Sequence, residues 1–432
     1  MKLAEIYSKL RVWGVAGAVN YALRLLNDRK HARRLSELAL KSNTTPVNGG
    51  VTVIGDLTGR VSLSKTLRDF ILSLKDAGIP CQSYDTSRKV EIPIEDAANI
   101  VTPIEDFDIK KYDLIVLMYR APIGKKLLPG IRVARIAFHE SEHGARVTMP
   151  FLHESGDDII AMSDFNYNYF KREYSGQRVF KVTYPLRLPK QRTNGFNPLV
   201  RSGRFTVFFN FDFGSYYRKN VEAAIEAFYL AFKDEPSARL IFKTKDAKQN
   251  PREVKAMLRK VKSLGLGACF EHIADYISRE ALDRLAAETD VYLSRHHAEG
   301  FGLGMAEAMA SGVPVVATDW SSNTEFCNAD NSWPVPVKMV EIQAHEYMAA
   351  MKEWAAPDAA AAAKALREIF ENRELAAKKA RLAREQLVER YSLANFKRDM
   401  LNLQAHSACS STTPRTALAA PLKIRYGKIS YK

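Results

Sequence analysis

The sequence contains few cysteines and no long apolar run. Its four cysteines, Cys81, Cys269, Cys327 and Cys409, lie far apart and lack the spacing of a metal site or a redox pair. No stretch reaches the roughly 18 to 20 uninterrupted apolar residues that span a bilayer. The first residues lack the short apolar core and the small-residue cleavage site of a signal peptide. We therefore expect reduced thiols, no zinc and a cytoplasmic location.

Acidic residues are the minority charge. The 432 residues include 64 Lys and Arg but only 49 Asp and Glu, a formal net charge of +15. This excess favours an anionic partner, which can be nucleic acid, an acidic membrane surface or a phosphorylated substrate. The basic residues do not alternate with aromatic residues as they do on surfaces that bind single strands, so we expect no nucleic acid partner. The length predicts two or three domains.

The N-terminal segment has a helical pattern. Leu3, Ile6, Leu10 and Trp13 recur at three- and four-residue steps, so a helix there carries an apolar stripe with basic residues beside it. One interpretation is an interfacial helix that lies on anionic lipid, which would place the protein peripherally on the inner face of the membrane. The other is a helix packed on its own domain or on a partner chain, and both remain open.

From Val51 the pattern changes to strands alternating with helices. Val51–Gly55 reads as a strand, and after a loop containing Gly59 the segment Ser62–Ala77 reads as an amphipathic helix. Gly59 can either admit a diphosphate near the helix start or form a simple tight turn. Later strand candidates complete a doubly wound α/β domain. These candidates are Asp113–Met118, Arg135–Phe138 and Asp157–Ser163.

A second strand-to-helix passage begins at Arg204. Phe205–Phe211 reads as a buried strand, and Arg218 and Lys219 precede a helix from Val221. Adjacent cations at this place can neutralise a diphosphate. The alternative is a solvated face, although cations at a helix N-terminus oppose its dipole.

The segment 290–318 is the most informative part of the sequence. It reads as strand, glycine loop, helix and strand, with alternating glycines at 300, 302 and 304. Such a loop brings backbone N–H groups close to an anion at a helix N-terminus. Glu299 precedes the loop and Glu307 lies about two turns inside the helix, so a ligand can meet one carboxylate at each end. A tight turn with a capping Glu is the alternative.

The run Glu-Gly-Phe-Gly-Leu-x-x-x-Glu-Ala-Met-Ala-x-Gly-x-Pro-Val-Val-Ala-Thr resembles the signature of retaining glycosyltransferase family 4, whose members have the GT-B fold. The resemblance implies that Glu307 hydrogen-bonds the nucleotide ribose and that Glu299 contacts the donor sugar. It also implies that the backbone amides of Phe301, Gly302 and Leu303 face the sugar and the diphosphate.

One residue departs from the family pattern. Gly304 stands where many members have proline, and we expect a looser turn there. The stretch 211–220 resembles the pattern Phe-Asp-x-x-Ser-x-x-Arg-Lys-Asn, in which the Arg and Lys, here Arg218 and Lys219, hold the diphosphate. The remaining donor-binding residues implied by the resemblance are Gly59, Lys243, Asp275, Tyr276 and Ile277.

The segment from His139 to His143 follows a predicted strand end. It lacks the ligand order of a zinc helix, so a metal site is the weaker interpretation. In a GT-B fold this loop lies at the carboxyl edge of the first sheet and faces the cleft. His139, Glu140 and His143 are candidates to orient the acceptor or a sugar hydroxyl. Our predicted catalytic set is Glu299, Arg218, Lys219 and His139, without a metal.

The resemblance predicts an α/β protein with two Rossmann-like doubly wound domains facing a central cleft. Asp319–Phe326 is expected to border the donor, and Ala-rich helices are expected at His345–Trp354, Asp358–Glu371 and Arg373–Tyr391. The predicted divisions are a basic helical extension (1–45), an acceptor-side domain (46–195), a nucleotide-sugar domain (200–385), a helix returning to the first domain (386–405) and a flexible basic tail (406–432).

The function implied is transfer of a hexose-type sugar from a nucleotide-sugar donor to a glycan or lipid-linked saccharide acceptor, with retention of anomeric configuration. Cell-surface polysaccharide or lipopolysaccharide biosynthesis is the expected setting, and no cofactor beyond the donor substrate is expected. The alternatives are a nucleotide-sugar epimerase or glycosyl phosphorylase of similar fold, or a non-catalytic membrane-associated adaptor.

Overall fold

The computed structural model describes residues 3–118, 131–144, 149–187, 203–274, 277–342 and 352–408. Helices and strands alternate along most of the chain. The helices are α1 (Leu3–Lys41), α2 (Ser62–Asp76), α3 (Ile94–Ala98), α4 (Pro150–Ser155), α5 (Asp164–Glu173), α6 (Val221–Phe232), α7 (Pro251–Ser263), α8 (Arg279–Glu288), α9 (Leu303–Ala310), α10 (Ala359–Glu371), α11 (Arg373–Arg390) and α12 (Leu393–Ala408). The strands are β1 (Val51–Gly55), β2 (Cys81–Asp85), β3 (Leu114–Met118), β4 (Arg132–Ile136), β5 (Asp158–Ala161), β6 (Val179–Lys181), β7 (Phe205–Asp212), β8 (Ala238–Lys245), β9 (Phe270–Ile273), β10 (Val291–Ser294), β11 (Val315–Thr318), β12 (Trp333–Val335), β13 (Val337–Glu341) and β14 (Glu353–Pro357).

The first domain is built on a parallel sheet with the order β2-β1-β3-β4-β5-β6. Strands β1 and β3 are buried along their whole length, as expected for a sheet covered on both faces. The strand order reverses beside β1, and ligands of open α/β sheets bind at the carboxyl ends of the strands next to such a reversal. The loop after β1, which contains Gly59, therefore lies at the edge where a ligand is expected.

The second domain has a parallel sheet with the order β12-β11-β10-β7-β8-β9. Its order reverses between β7 and β10, so the loops that follow these two strands meet at the carboxyl edge of the sheet. The loop after β7 carries Arg218 and Lys219, and the loop after β10 carries Glu299. Sheet topology thus brings together residues that are about 80 positions apart in the sequence.

Aromatic side chains fill much of the second core. Helix α6 buries Val221, Ile225, Phe228 and Phe232, whose three- and four-residue spacing places them on one face. Phe228 and Phe232 are in contact, with ring centroids 5.4 Å apart. This packing fixes the start of α6, and hence the loop carrying the two cations, against the sheet.

The prediction of a helix over His345–Trp354 is wrong for the residues of that segment that the structure describes. Residues 343–351 lie outside the described part, but Trp354 belongs to β14, which pairs antiparallel with β13. The Trp354 ring stacks on His297 at 4.2 Å, and the amide of Ala355 donates to the carbonyl of His297 over 3.1 Å. These tertiary contacts override the helical preference of the local composition.

The long helix α1 packs its C-terminal part on the first domain. Leu35 and Ala39 are buried against the sheet, and Nδ1 of His31 lies 3.1 Å from the hydroxyl of Tyr84. This packing agrees with the interpretation of α1 as a helix packed on its own domain. It does not test the interpretation of α1 as a helix that lies on anionic lipid. In the described part of the chain, none of the helices combines the length and the apolar character of a membrane span.

Helix α12, the last helix in the described residues, crosses to the first domain. Phe396 meets Phe70 of α2 edge to face at 5.3 Å, and Asp399 accepts hydrogen bonds from the amide (2.9 Å) and hydroxyl (2.6 Å) of Thr183. The break between α11 and α12 lies at Tyr391, so the crossing helix begins at Leu393 rather than at residue 386.

Replacing Phe396 with Ala tests this crossing. Phe396 is 1% exposed, so we expect the free energy of unfolding to fall by about 3–5 kcal/mol because the cavity beside Phe70 is not refilled. Leu401→Ala on the same helix is the matched control, because Leu401 is 50% exposed, and should change stability by less than about 0.5 kcal/mol. Chemical denaturation of the full-length protein measures both, and equal effects would contradict the packing described here.

Candidate active site

Glu299 is held in place through its backbone. Its amide donates to the hydroxyl of Ser321 over 2.9 Å, at the start of a 3₁₀ turn that spans Ser321–Glu325. Ser321 has a φ of 71°, in the left-handed region that non-glycine residues rarely occupy. The segment that was expected to border the donor therefore positions the first acid of the signature.

The carboxylate of Glu299 pairs with both predicted cations. Nζ of Lys219 donates to Oε1, and Nη1 of Arg218 lies 3.3 Å from Oε2. Nη1 of Arg218 also donates to the carbonyl of Ala298 over 2.8 Å. Asn220, at a φ of 52°, ends the loop just before α6. The cations at this helix start are thus stabilised by a buried carboxylate, which offsets their unfavourable position on the helix dipole.

These two cations control the ionisation of Glu299. Burial pushes the pKa of the Glu299 carboxyl upward, but the adjacent charges of Lys219 and Arg218 outweigh burial and hold the pKa at about 2. The carboxylate is therefore anionic throughout the neutral range. Such a group attracts developing positive charge and accepts hydrogen bonds, but it binds a proton weakly.

His296 hydrogen-bonds to residues on either side of the Glu299 loop. This role was not predicted from the sequence. Nδ1 of His296 lies 2.9 Å from the hydroxyl of Ser294 and its Nε2 lies 3.0 Å from Oδ1 of Asn323. Burial lowers the pKa of the ring to about 4, so His296 is neutral near pH 7. The pattern fits a ring that donates from Nε2 to Asn323 and accepts at Nδ1 from Ser294.

The glycine loop makes close contacts with the first domain. A Cβ on Gly300 would lie 2.9 Å from Cβ of Phe138, and the ring of Phe301 stacks on Tyr184 at 3.8 Å. Gly302 has a φ of 95° and caps the N-terminus of α9. Within the described residues, the amides of 301–303, which lie at and just before the start of α9, donate to no protein group. These amides are available to an anion.

Gly304 has a packing reason to be glycine. A Cβ there would lie 2.3 Å from the hydroxyl of Tyr292 and 2.9 Å from Oδ1 of Asn210. The Tyr292 hydroxyl donates to Asn210 over 2.7 Å. The side chain of Tyr292 thus reaches the helix at the position where the family pattern has proline.

Glu307 bridges the two domains. Its Oε1 lies 3.4 Å from Nζ of Lys65, on helix α2 of the first domain. Burial lowers the pKa of Lys65, but the charges of Glu307 and Asp69 outweigh burial and raise it above its ordinary value. Lys65 was missed in the sequence, because nothing local distinguishes it from an ordinary helix lysine.

Asn166 joins the His139 loop to the glycine loop. Its side chain is fully buried, and its Nδ2 donates to the carbonyl of Gly300 over 2.9 Å and to the hydroxyl of Ser322 over 3.0 Å. Its Oδ1 accepts from the amide of His139 over 2.6 Å. A single amide group therefore fixes both domains at the site, and no sequence pattern pointed to it.

The three candidates of the His139 loop have different surroundings. His139 is 1% exposed and stacks on Tyr169 at 4.7 Å, and its Nε2 lies 2.7 Å from the carbonyl of His143. Burial lowers its pKa to about 4. Oε1 of Glu140 lies 3.2 Å from Nη1 of Arg218, and Nε2 of His143 lies 3.5 Å from Oε1 of Glu353. Of the three, Glu140 is the residue whose carboxylate pairs with Arg218, beside Glu299.

The second domain matches a known protein family in sequence. Residues 205–372 match the sequence model of the family described as "Glycosyl transferases group 1", a range that contains Arg218, Lys219, Glu299 and Glu307. A comparison with curated proteins gives no match.

Solved structures resemble the chain at low sequence identity. Sucrose-phosphate synthase from Thermosynechococcus elongatus is 14% identical with a TM-score of 0.60, over 85% of this chain and 100% of that chain. Anabaena HepE in complex with UDP-glucose is 16% identical with a TM-score of 0.57, over 82% of this chain and 99% of that chain.

The fold is GT-B.

A third structure is longer than the present chain. Staphylococcus aureus TarM in complex with UDP and alpha-GlcNAc-glycerol is 14% identical with a TM-score of 0.51, over 67% of this chain. The present chain spans 55% of the length of that TarM chain. The shared architecture is the GT-B fold that the signature loop predicted, and the family match covers residues 205–372 of the second half of the chain.

The predicted donor-binding residues fall in several environments. The amide of Gly59 donates to Oδ1 of Asp56 over 2.9 Å, and a Cβ on Gly59 would lie 2.5 Å from that atom. This favours the tight-turn interpretation of Gly59, whose contact with a donor stays a prediction. Lys243 is half-buried near the end of β8, and Ile277 is half-buried just before α8. Asp275 and Tyr276 lie outside the described residues.

Among the described residues, no three His, Cys, Asp or Glu side chains come together as a group that could hold a metal ion. Independence from metal stays a prediction.

Replacing Lys219 with Met tests the charge cluster. The folded-state pKa of Glu299 lies below its ordinary value of 4.5, so its ionisation stabilises the fold above that pH, and this contribution is lost as the pH falls toward about 2. Without Lys219 the pKa rises, so the loss begins at higher pH, and stability at pH 7 falls by about 3 kcal/mol. Urea unfolding between pH 7 and pH 3 measures this.

The double variant Lys219→Met/Glu299→Gln is the control. With the carboxylate removed, most of the lost stability and the altered pH dependence should be recovered. If the Lys219→Met variant has the stability and the pH dependence of the wild type, Lys219 does not compensate the charge of Glu299.

Proposed function

We propose that the protein is a retaining glycosyltransferase that moves a hexose-type sugar from a nucleotide-sugar donor to a hydroxyl of a glycan or lipid-linked saccharide. The observation that carries this proposal is the pairing of Arg218 and Lys219 with Glu299 beside the available amides of 301–303, at the strand-order reversal of the second sheet. Two cations and several N–H groups directed at one place suit a diphosphate.

Donor binding in this proposal rearranges the ion pairs. Before binding, Arg218 and Lys219 are neutralised by Glu299 and Glu140. The diphosphate takes over part of these contacts, and the released oxygens of Glu299 accept hydrogen bonds from sugar hydroxyls. Glu307, about one turn inside helix α9, accepts from the nucleotide ribose. Lys243 adds a further cation near the diphosphate.

The low pKa of Glu299 bears on the route of the reaction. A carboxylate with a pKa of about 2 is a weak base, so it is poorly suited to remove the acceptor proton. We propose that the leaving phosphate takes this proton on the same face of the sugar, which retains the configuration. Arg218, Lys219 and the loop amides stabilise the charge that develops on the phosphate. In this scheme the cations replace a metal, and no cofactor is needed.

Roles on the acceptor side follow from the loop after β4. Glu140 reaches Arg218 from the first domain, so it is our choice to contact the acceptor hydroxyl. His139 is neutral and buried, and it acts as a hydrogen-bonding group at the edge of the cleft. The setting proposed is cytoplasmic synthesis of a cell-surface polysaccharide or lipopolysaccharide.

Replacing Glu307 with Ala tests the function. Removal of a charged hydrogen-bond acceptor from the ribose should lower kcat/KM by about 10- to 100-fold, which corresponds to about 1.5–3 kcal/mol. A thermal-shift screen against nucleoside diphosphates and their sugars first identifies the donor, starting with UDP-glucose because HepE was solved with it. Transfer is then measured with that donor, and circular dichroism checks the fold.

Glu374→Ala is the matched control, because Glu374 is exposed on α11. Its transfer rate should equal that of the wild type. Wild-type turnover by Glu307→Ala would reject the ribose contact. Incubation with donor alone separates an epimerase or a phosphorylase, which would give an epimer or, with phosphate added, a sugar phosphate. Unchanged activity of Glu307→Ala in cells would favour a non-catalytic adaptor.

We also propose peripheral contact of α1 with an anionic membrane. Val19, Leu23 and Leu26 are exposed by 50%, 41% and 57%, and their spacing places them on one face of the helix. Basic residues accompany this face, including Arg24 and Arg29. Apolar side chains flanked by cations are typical of helices that lie on anionic lipid.

The variant Leu23→Glu/Leu26→Glu tests the membrane contact. It should weaken co-sedimentation with phosphatidylserine-containing vesicles by about tenfold or more, because two exposed apolar side chains that would enter the lipid are replaced by anions, which anionic lipid repels. Ile94→Glu, which changes a 79% exposed residue of α3, should leave vesicle binding nearly unchanged. Equal binding by all three proteins would contradict a role for α1 at the membrane.

A further inference from the structure

Helix α2 of the first domain reaches the second domain through Lys65. Nζ of Lys65 lies 3.4 Å from Oε1 of Glu307 on helix α9. On its own helix, Nζ of Lys65 also donates to Oδ2 of Asp69, one turn further along. Lys65 therefore joins one carboxylate from each domain, and the carboxylate of the second domain is the one proposed to hold the nucleotide ribose.

The start of α2 is held in place beside the glycine loop. The hydroxyl of Thr66 donates to the carbonyl of Ser62 over 3.0 Å. It lies 2.7 Å from the hydroxyl of Tyr184, so Tyr184 donates to Thr66. The ring of Tyr184 in turn stacks on Phe301. The first turns of α2 thus connect to the second domain at two places, to the glycine loop through Tyr184 and to helix α9 through Lys65.

Asp69 restricts the conformations of the Lys65 side chain. The side chain of Asp69 is 8% exposed, and an ion pair with a buried carboxylate limits the rotamers that a lysine can adopt. Burial raises the pKa of Asp69 against the opposing charges of Lys65, Arg68 and Arg187. Burial lowers the pKa of Lys65, but Glu307 and Asp69 outweigh burial and raise it, so the ammonium is charged near pH 7.

The pair between Lys65 and Glu307 affects orientation more than stability. The two side chains are 31% and 36% exposed, and ion pairs with this exposure contribute little to the stability of a fold. A glutamate side chain has many rotamers, however, and fixing one of them for a ligand costs free energy when the ligand binds. A cation that already holds the carboxylate lowers this cost.

We propose that Lys65 is a positioning residue for nucleotide recognition, whose ammonium holds the Glu307 carboxylate in the orientation that accepts hydrogen bonds from the ribose hydroxyls. The first domain then takes part in recognition of the ribose, although the nucleotide lies on the second domain. Lys65 acts through Glu307 and does not contact the donor. This inference rests on the proposed function, to which the ribose contact of Glu307 belongs.

Nucleotide binding by the full-length wild type and by a Lys65→Met variant tests the proposal. Isothermal calorimetry compares UDP with 2′,3′-dideoxy-UDP, and the corresponding GDP and ADP pairs are measured in parallel. Without Lys65, the ribonucleotide that the wild type binds should bind about 3- to 10-fold more weakly, which is the cost of ordering one long side chain. Binding of its dideoxy form should not change, because that form offers Glu307 no hydroxyl.

Lys75→Met is the matched control. Lys75 is exposed on the same helix and lies about 15 Å along it from Lys65, at a rise of about 1.5 Å per residue. Its ammonium donates to the carbonyl of Asn99, and the change in net charge is the same as for Lys65→Met. This variant should bind both forms of the nucleotide as the wild type does.

A second variant allows for a disturbed fold. Removal of Lys65 alone leaves Asp69 without its ion-pair partner on the next turn, whereas Lys65→Met/Asp69→Asn removes both charges. Circular dichroism should show the wild-type fold for this double variant. It should lose affinity for the ribonucleotide to the same extent as Lys65→Met and keep its affinity for the dideoxy form.

The variant Lys65→Met/Glu307→Ala separates positioning from direct contact with the donor. If Lys65 acts through Glu307, this variant binds the ribonucleotide as tightly as Glu307→Ala alone. Losses that add in the double variant would show that Lys65 contacts the nucleotide by itself, which overturns the proposal.

The proposal is also overturned if Lys65→Met keeps the wild-type affinity for the ribonucleotide, or if it weakens the ribose and dideoxy forms equally. A wild type that binds none of the three nucleoside diphosphates rejects the proposed function instead. A wild type that binds them without preferring the ribose form rejects the ribose contact of Glu307, and the role of Lys65 with it.

Discussion

The site depends on a buried carboxylate that cannot exist without its cations. Glu299 is 7% exposed, and an isolated charge in that position would cost several kcal/mol. Lys219 and Arg218 compensate it from the loop after β7, and Glu140 reaches the same Arg218 from the first domain. Because these groups come from three loops and both domains, the position of each loop is tied to the others through one electrostatic requirement.

Burial and nearby charges set which groups near the site can carry protons. His139 and His296 are buried and His297 is half-buried, and loss of solvation lowers the pKa of each ring to about 4, so all three are neutral near pH 7. Glu299 is fully ionised. These histidines therefore act as fixed hydrogen-bonding dipoles, while charge is carried by Glu299 and its two cations. An arrangement of fixed charges and dipoles suits a reaction in which stabilisation of a leaving phosphate matters more than removal of a proton by a side chain.

Local sequence signals predicted the parts of the site that local structure builds. The glycines after β10 and the cation pair before α6 belong to strand-loop-helix units, whose chemistry is visible within about 20 residues. Lys65 and Asn166 escaped prediction because their partners come from distant chain segments: Asn166 and Gly300 are 134 residues apart. The helix predicted from the Ala-rich composition near Trp354 is wrong for the same reason, since stacking on the distant His297 decides the conformation of Trp354. The alternation of strands and helices was predicted correctly because βα periodicity is a local property, and the two-domain GT-B architecture was predicted correctly from the family resemblance of the signature loop.

The buried amide of Asn166 has a consequence for modular engineering. It links the His139 amide, the Gly300 carbonyl and the Ser322 hydroxyl, so its hydrogen bonds cross from one sheet to the other. A chimera that takes its first domain from one protein and its second domain from another would leave this amide without matched partners unless the serine and the loop are exchanged together with it. Unpaired polar groups in such a seam cost about 1–3 kcal/mol each. The useful crossover point for recombining the two domains is therefore set by the hydrogen bonds of Asn166, and not by the linker between the domains.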